Sequence, residues 1–305
     1  SGTLVEKNGV KYEFDPSTGL LKTVTTKRGV YPLKNGPQFF AYRRYDRSFD
    51  QYFTHDIKDA EKMKTKFKEY DYLGRENYDG TRKEISDQPT LKSFNIYNVE
   101  NDTTVVVVDY KLGAIEQVVW KIAPDGKAQM QFTYLFNGVV DIMGVKFDME
   151  EGDVLNKKWL GNGPYRVWKN RLHGPQYGIW QNDYNDPVPG ETFNYPEFKG
   201  YFSDVAWMKL GVRLDNKAEG MITMRPNCPA MFEAEDLKPA NIIGVFQPRD
   251  GRDEHLFTLP KTGISMIQVI PAVRNKVNGT DLNGPSAAPV WSKGYYTGAL
   301  ELEFE

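Results

Sequence analysis

Short strand-like segments separated by turn sequences recur along most of the chain and constrain its fold more than any other feature. Residues 10–14 and 20–26 flank the sequence DPSTG (residues 15–19), in which Asp, Pro and Gly are typical of a tight turn. Residues 115–122 and 128–136 flank a second turn sequence, PDGK (residues 124–127). Each arrangement predicts a β-hairpin, and their recurrence predicts an all-β protein.

Further strands are predicted on both sides of the second hairpin. Residues 91–99 alternate between apolar and polar side chains, and residues 103–110 form a β-branched run that is typical of a strand covered on both faces. Later strands are predicted at 205–214, 219–225, 241–246, 264–271 and 296–304. Strands at such regular spacing, with Gly and Pro between them, indicate a sandwich or a barrel.

One segment differs from this pattern. Residues 56–70 are charged, contain no Pro or Gly and place apolar side chains near helical spacing, which predicts a short surface helix. No change in composition resembles a linker, and no internal repeat divides the chain. We therefore predict a single all-β domain over residues 1–305, with one short helix in an insertion near 56–70.

Charge and cysteine content exclude several classes of partner and cofactor. The chain carries 39 basic and 41 acidic side chains, a formal net charge of −2, and lacks the clustered basic field of a nucleic-acid-binding protein. No run approaches the roughly 18 apolar residues of a membrane span. Cys228 is the only cysteine and there are three histidines, so we predict no internal disulfide, no metal site and no cofactor.

Aromatic residues are numerous, with 18 Tyr, 17 Phe and 6 Trp. Tyr and Trp combine an apolar body with a polar group, so they suit both a core and a sugar-binding cleft. The stretch KWLGNGPYRVWKNRLHGPQYGIWQNDYND (158–186) is rich in Gly, Pro and aromatics, which predicts an ordered loop rather than a regular strand. Such a loop either contacts a saccharide or closes one end of the sandwich.

Four motifs carry a family resemblance. WLGNGPYRVWKNR (159–171) resembles the signature W-x-G-x-G-P-x-x-x-Y-x-D-R of the C-terminal domain of glycoside hydrolase family 2 β-galactosidases. NYPEFKGYFSDVAWM (194–208) is similar to the second signature of that domain, Y-x-x-P-Q-E-x-G-N-R-x-D-V-R-W, with a small deletion. YEFDPSTGLL (12–21) and KIAPDGKAQMQFTY (121–134) are similar to its opening and central hairpins, in the same order. The resemblance implies a β-supersandwich, the architecture of galactose mutarotases.

The resemblance also implies where the chemistry takes place. In family 2 enzymes both catalytic glutamates lie on a (β/α)₈ barrel that precedes this domain, and this chain has no βαβα alternation. We therefore expect no catalytic residue here. Because the chain begins Ser1-Gly2 without Met, we expect a piece of a larger hydrolase. Its implied partners are the catalytic barrel, on which it packs, and a carbohydrate in the cleft to which it contributes.

The resemblance implies a set of carbohydrate-binding residues, with departures from the family pattern. Trp291 is the counterpart of a family Trp at the mouth of the active site, although the acidic pair before it is missing. Asn170 replaces the Asp of the first signature, and Ala206 replaces the last Arg of the second signature. Residues 39–53 lack the R-x-P-x-D-N-D run of the β-galactosidases, and this departure puts β-galactosidase specificity in doubt. The candidate residues are Trp291, Arg171, His173, Tyr165, Trp168 and Glu197.

Two other classes of function stay open. An autonomous sugar 1-epimerase or polysaccharide lyase on the same fold would need a base and a carboxylate or Arg in one cleft, for which His173, Arg171, Tyr165 and Glu197 are the candidates. A non-catalytic carbohydrate-binding module is the other. The compartment is open, and a periplasmic or secreted bacterial enzyme is favoured over a cytoplasmic one.

Overall fold

The computed structural model describes residues 3–44, 82–84, 87–140, 142–169, 172–182, 201–226, 242–245, 263–270 and 290–305. These residues form strands and two 3₁₀ helices, Glu100–Asp102 and Glu151–Asp153. The strands are β1 (Leu4–Lys7), β2 (Val10–Phe14), β3 (Leu21–Thr26), β4 (Gly29–Tyr31), β5 (Lys34–Arg44), β6 (Arg82–Glu84), β7 (Thr90–Val99), β8 (Thr103–Leu112), β9 (Ile115–Ile122), β10 (Ala128–Leu135), β11 (Gly138–Val140), β12 (Ile142–Asp148), β13 (Val154–Gly163), β14 (Gln176–Asn182), β15 (Tyr201–Phe202), β16 (Trp207–Arg213), β17 (Glu219–Pro226), β18 (Ile242–Val245), β19 (Ile264–Val269), β20 (Val290–Ser292) and β21 (Tyr295–Phe304).

Two large antiparallel sheets contain almost all of these strands. The ten-stranded sheet has the order β1-β2-β3-β5-β12-β19-β18-β15, with β4 also paired to β3 and β6 to β5. The nine-stranded sheet has the order β14-β13-β16-β17-β21-β10-β9-β8-β7, so that β21 lies between β17 and β10. β11 and β20 form a separate two-stranded sheet. The two-sheet sandwich predicted from the sequence is confirmed.

Both predicted hairpins are present. β2 pairs with β3, and β9 with β10, in antiparallel register. In the first turn the Asp15 carboxylate accepts hydrogen bonds from the backbone N–H and the hydroxyl of Ser17, and Gly19 has a φ of +75°. A Cβ on Gly19 would also lie 2.2 Å from Val108 Cγ1, because the turn packs closely against β8. The turn sequence thus sets both the hairpin and its contact with the opposite sheet.

Aromatic side chains fill the core between the two sheets. Phe14 of the ten-stranded sheet contacts Trp120 of the nine-stranded sheet with ring centroids 5.7 Å apart, and Phe39 contacts Tyr134 at 5.2 Å. The Tyr12 hydroxyl donates to the Gly126 carbonyl at 2.7 Å, which ties β2 to the turn after β9. Because buried aromatic pairs contribute beyond their area, these contacts hold the two sheets face to face.

The loop predicted for residues 158–186 is wrong over much of its length. The second half of β13 and the whole of β14 lie in it and pair antiparallel, with Trp159 opposite Trp180. The glycines that suggested a loop are required in the strand by close packing. A Cβ on Gly161 would meet Val205 Cα at 3.0 Å, and one on Gly163 would meet Trp180 Cδ1 at 2.6 Å. Glycine in a strand therefore marks close approach here rather than irregular backbone.

Three other expectations have different outcomes. The strands predicted at 91–99, 103–110 and in the later part of the chain are confirmed, with ends shifted by one or two residues. The helix predicted at 56–70 lies outside the described residues. The single domain over residues 1–305 stays a prediction, although one cluster of buried side chains contains residues of both large sheets.

Candidate carbohydrate-binding site

The described parts of two of the motifs that carry the family resemblance, residues 159–169 and 201–208, lie against each other. The backbone N–H of Asn162 in the first motif donates to the Ser203 carbonyl at 2.9 Å, and the N–H of Ala206 in the second donates to the Leu160 carbonyl at 2.8 Å. The Asn162 side-chain amide also donates to Asp204 Oδ2 at 2.5 Å. The bonded residues are more than 40 positions apart in sequence and form one hydrogen-bonded junction.

Aromatic packing fixes the base of this junction. Trp159 is fully buried, and its ring centroid lies 4.0 Å from that of Phe202 on β15. The Trp159 indole N–H donates to the Asn162 carbonyl at 3.2 Å, so the ring has its polar atom satisfied. The end of β13 is therefore held to β15 by both hydrogen bonds and ring contact.

The segment that follows β13 carries a buried cation between two aromatic rings. The guanidinium carbon of Arg166 lies 4.2 Å from the ring centroid of Trp168 and 5.6 Å from that of Tyr201. Arg166 is 3% exposed, so these cation–π contacts are shielded from water. A cation–π contact that is shielded in this way contributes about 2 kcal/mol. The Tyr201 hydroxyl donates to the Val167 carbonyl at 2.5 Å and closes the arrangement.

Burial keeps the Tyr201 hydroxyl protonated. Loss of solvent raises the pKa of Tyr201 far above its ordinary value, and the positive charge of Arg166 offsets only part of that rise. The side chain is thus a hydrogen-bond donor at every physiological pH and not a candidate base. Its role in this structure is to hold the segment that contains Arg166.

This segment covers a small second apolar cluster. The cluster consists of Phe40, Ile142, Val167, Tyr201 and Ile267. Because Phe39, Ala41 and Met266 belong to the core between the sheets, and side chains alternate along a strand, Phe40 and Ile267 face the other side of the ten-stranded sheet. Residues 164–168 therefore run from the end of the nine-stranded sheet onto the outer face of the ten-stranded sheet.

The structure brings some of the predicted carbohydrate-binding residues together. Tyr165 and Trp168 lie in the segment just described; Tyr165 is half-buried and Trp168 is 7% exposed, with a ring face against Arg166. His173 is exposed between this segment and β14. The backbone of Trp291 pairs with Val139 in the β11–β20 sheet. Arg171 and Glu197 lie outside the described residues.

The sequence analysis missed Arg166 and Tyr201 as parts of this region. Both lie inside the two signature motifs. The position of Arg166 between two aromatic residues, Tyr165 and Trp168, was the sequence pattern that could have indicated a cation–π contact. Their contact depends on β15, which is two residues long and carries no periodicity of its own. Within the described ranges, no group of three or more His, Cys, Asp or Glu could hold a metal ion. No helix in that part of the chain is long and apolar enough to cross a membrane.

Comparisons with known proteins identify the family. The model of the beta galactosidase small chain family matches residues 6–267. No curated protein gave a significant match. Among solved structures, a galactose 1-epimerase from Lactobacillus acidophilus NCFM is 8% identical to this chain, with a TM-score of 0.44. The alignment covers 99% of this chain and 92% of the epimerase chain. A galactose mutarotase related enzyme from Lactobacillus acidophilus is 10% identical, with coverages of 99% and 96% and a TM-score of 0.38. Since the family match spans most of the sequence, the chain belongs to the beta galactosidase small chain family.

Proposed function

We propose that this chain is the carbohydrate-related, non-catalytic part of a family 2 β-galactosidase-like hydrolase. It packs on a catalytic barrel supplied by another part of the enzyme and contributes a loop to the sugar-binding cleft. The observation that carries the proposal is the junction of the two signature motifs, because both motifs lie within the residues that match the family and their described parts form one hydrogen-bonded unit.

The strand arrangement supports a catalytic centre outside the described residues. A (β/α)₈ barrel consists of parallel strands, and retaining glycosidases hold two carboxyl groups roughly 5–5.5 Å apart on a rigid frame. The two large sheets described here contain antiparallel strand pairs, such as β10 with β21 and β12 with β5. A chain of this architecture suits support of the cleft better than formation of the barrel itself.

The surroundings of Trp291 suit a loop that must keep a fixed position. The Ser292 hydroxyl is buried and donates to Tyr296 Oη at 2.7 Å, while the Gly294 N–H donates to Asn137 Oδ1 at 2.9 Å. The last residue of this short strand and the turn after it are thus tied to the body of the sandwich. A tryptophan carried on such a strand can stack on a sugar ring with little loss of conformational entropy on binding.

The test combines association with activity. The 305-residue chain and the catalytic barrel of its parent enzyme are purified separately, mixed, and assayed with o-nitrophenyl β-galactoside. We expect no turnover by the chain alone, a stable complex on gel filtration, and a gain in kcat/KM on mixing. Turnover by the chain alone that disappears when one of its own glutamates is substituted would overturn the proposal, as would failure of the two parts to associate.

A further inference from the structure

A row of polar side chains crosses five neighbouring strands of the nine-stranded sheet. Ser93 on β7 lies opposite Asp109 on β8, and Asp109 lies opposite Gln117 on β9. Gln117 lies opposite Thr133 on β10, which lies opposite Thr297 on β21. We call these five residues the polar row. Since neighbouring strands are about 4.8 Å apart, the polar row presents one hydrogen-bonding side chain on each strand over a distance of nearly 20 Å.

The polar row faces away from the core. The residues beside four of its members, Val108, Val118, Phe132 and Tyr296, are buried in the core between the sheets. Because successive side chains of a strand point to opposite faces, Asp109, Gln117, Thr133 and Thr297 are on the outer face. This is a different surface from the junction of the signature motifs at β13 and β15.

Hydrogen bonds within the polar row fix the orientation of its members. Asp109 Oδ1 accepts from Gln117 Nε2 at 2.8 Å, and Asp109 Oδ2 accepts from Ser93 Oγ at 2.8 Å. These bonds, with the charge of Lys92, hold the pKa of Asp109 below its usual range. The hydroxyls of Thr133 and Thr297 are 3.2 Å apart. A ligand would therefore meet a carboxylate, an amide and hydroxyls that are already ordered.

Three register shifts direct charged side chains to the same place. At three places the pairing of neighbouring strands shifts by one residue, so that one strand has an additional residue there. These additional residues are Lys92 in β7, Lys111 in β8 and Glu116 in β9. Together with Asp109, Gln117 and Thr133, these three residues line a groove of about 390 Å³. Bulges commonly re-aim side chains beside binding sites, and the volume is within the range of small-molecule pockets.

The charges of the groove balance. Its lining contains two lysines, Lys92 and Lys111, and two carboxylates, Asp109 and Glu116. A strongly anionic ligand would meet both carboxylates, and a cation would meet both ammonium groups, so neither gains from the site as a whole. A neutral ligand that bears many hydroxyl groups can instead donate to the carboxylates and accept from the ammonium, amide and hydroxyl groups.

An exposed aromatic ring lies at one end of the polar row. Tyr295 is 57% exposed and precedes Thr297 by two residues on β21, so it is on the same outer face. Its partner in register is Leu135 on β10, two residues beyond Thr133. An exposed ring beside a row of hydroxyl and carboxylate groups is suited to stack on the apolar face of a sugar ring.

We propose that this groove is a binding site for a neutral saccharide of one or two pyranose units, with Asp109 and Gln117 bonded to sugar hydroxyls. Tyr295 does not line the groove itself but lies beyond Thr133 on the same face, where it stacks on the second ring. The site lies on the outer face of the nine-stranded sheet, and all of its residues belong to this chain. Binding is therefore measured on the isolated 305-residue chain, and its outcome is independent of whether a catalytic barrel associates.

The experiment is calorimetric titration with galactose and lactose up to roughly 100 mM, with inorganic phosphate as a charge control. We expect saturable sugar binding and none of phosphate. Asp109→Ala is expected to weaken binding about tenfold or more, and Tyr295→Ala several-fold. Tyr97→Ala is the matched control, because Tyr97 is 50% exposed on the same sheet but lies on the edge strand β7, four residues beyond Ser93 and away from β10 and β21. This variant should bind like the unsubstituted chain.

Changes in the amide chemical shifts of the unsubstituted chain on addition of sugar locate the site without any substitution. The proposal can therefore be tested even if a variant fails to fold. We expect the largest shifts on titration with sugar at residues 109–117 and 295–297. The proposal is overturned if neither sugar binds, if phosphate binds in its place, or if shifts and affinity losses occur away from the groove.

Discussion

The hydroxyl of Tyr201 offers a sharp test of how the signature-motif junction is held. Tyr201→Phe keeps the ring beside Arg166 and the apolar contacts with Phe40 and Ile267, but it removes the donor to the Val167 carbonyl. Leaving a buried acceptor without its donor costs about 1–3 kcal/mol, and the lower desolvation cost of Phe offsets part of this. We expect the free energy of unfolding to fall by about 1–2 kcal/mol.

Urea denaturation followed by tryptophan fluorescence and by far-UV circular dichroism measures this change. The midpoint should fall with the m-value unchanged, because the substitution alters stability and not the surface exposed on unfolding. Tyr97→Phe is the control: this tyrosine is 50% exposed, so water replaces any lost bond, and the change should stay within about 0.5 kcal/mol.

The reasoning is refuted if Tyr201→Phe is as stable as Tyr97→Phe. In that case the hydroxyl contributes nothing, and residues 164–168 are held on the outer face of the ten-stranded sheet by apolar and cation–π contacts alone. Amide hydrogen exchange at residues 165–168 gives a second measure, since protection there should fall only in the Tyr201 variant.

Three further predictions concern other parts of the molecule. Gly144→Ala should destabilise the chain by about 2–4 kcal/mol in thermal denaturation, because the new Cβ would lie 2.1 Å from the Met266 carbonyl oxygen, whereas Gly152→Ala meets nothing within 4 Å and should be nearly neutral. The pKa of Asp109 is lowered in the folded state, so its stabilising effect is present above the ordinary Asp pKa near 3.9 and is lost as the pH falls through the folded value. Asp109→Asn should therefore flatten the dependence of the unfolding midpoint on pH in that acidic range, and an unchanged slope would contradict this. In the assembled enzyme, Trp291→Ala should raise KM several-fold with little change in kcat while Trp291→Phe retains most of the affinity; equal KM values would argue against sugar stacking.

Local turn chemistry explains why much of the fold was predictable. The sequences DPSTG and PDGK place Asp, Pro and Gly where a hairpin needs them, so β2–β3 and β9–β10 could be located without knowledge of the rest of the chain. The alternation along β7 and the β-branched run of β8 act over equally short distances.

Features that depend on distant residues were not predictable in the same way. β13 contains Gly161 and Gly163, and the reason for glycine at these strand positions is the close packing of Val205 and Trp180 against them. The contact between Arg166 and Tyr201 joins residues 35 apart, and the polar row needs the register of five strands. Periodicity reports which face a residue occupies, but it does not report which residues of other strands lie beside it.

The central position of β21 has a consequence for biosynthesis. Of the strands described, β21 is the last to leave the ribosome, yet it joins β17 to β10 in the middle of the nine-stranded sheet. Until it emerges, β14-β13-β16-β17 and β10-β9-β8-β7 are two separate blocks with exposed edges. Completion of this sheet therefore waits for β21, and a nascent chain stalled before residue 295 would present two strand edges to chaperones or to other copies of itself.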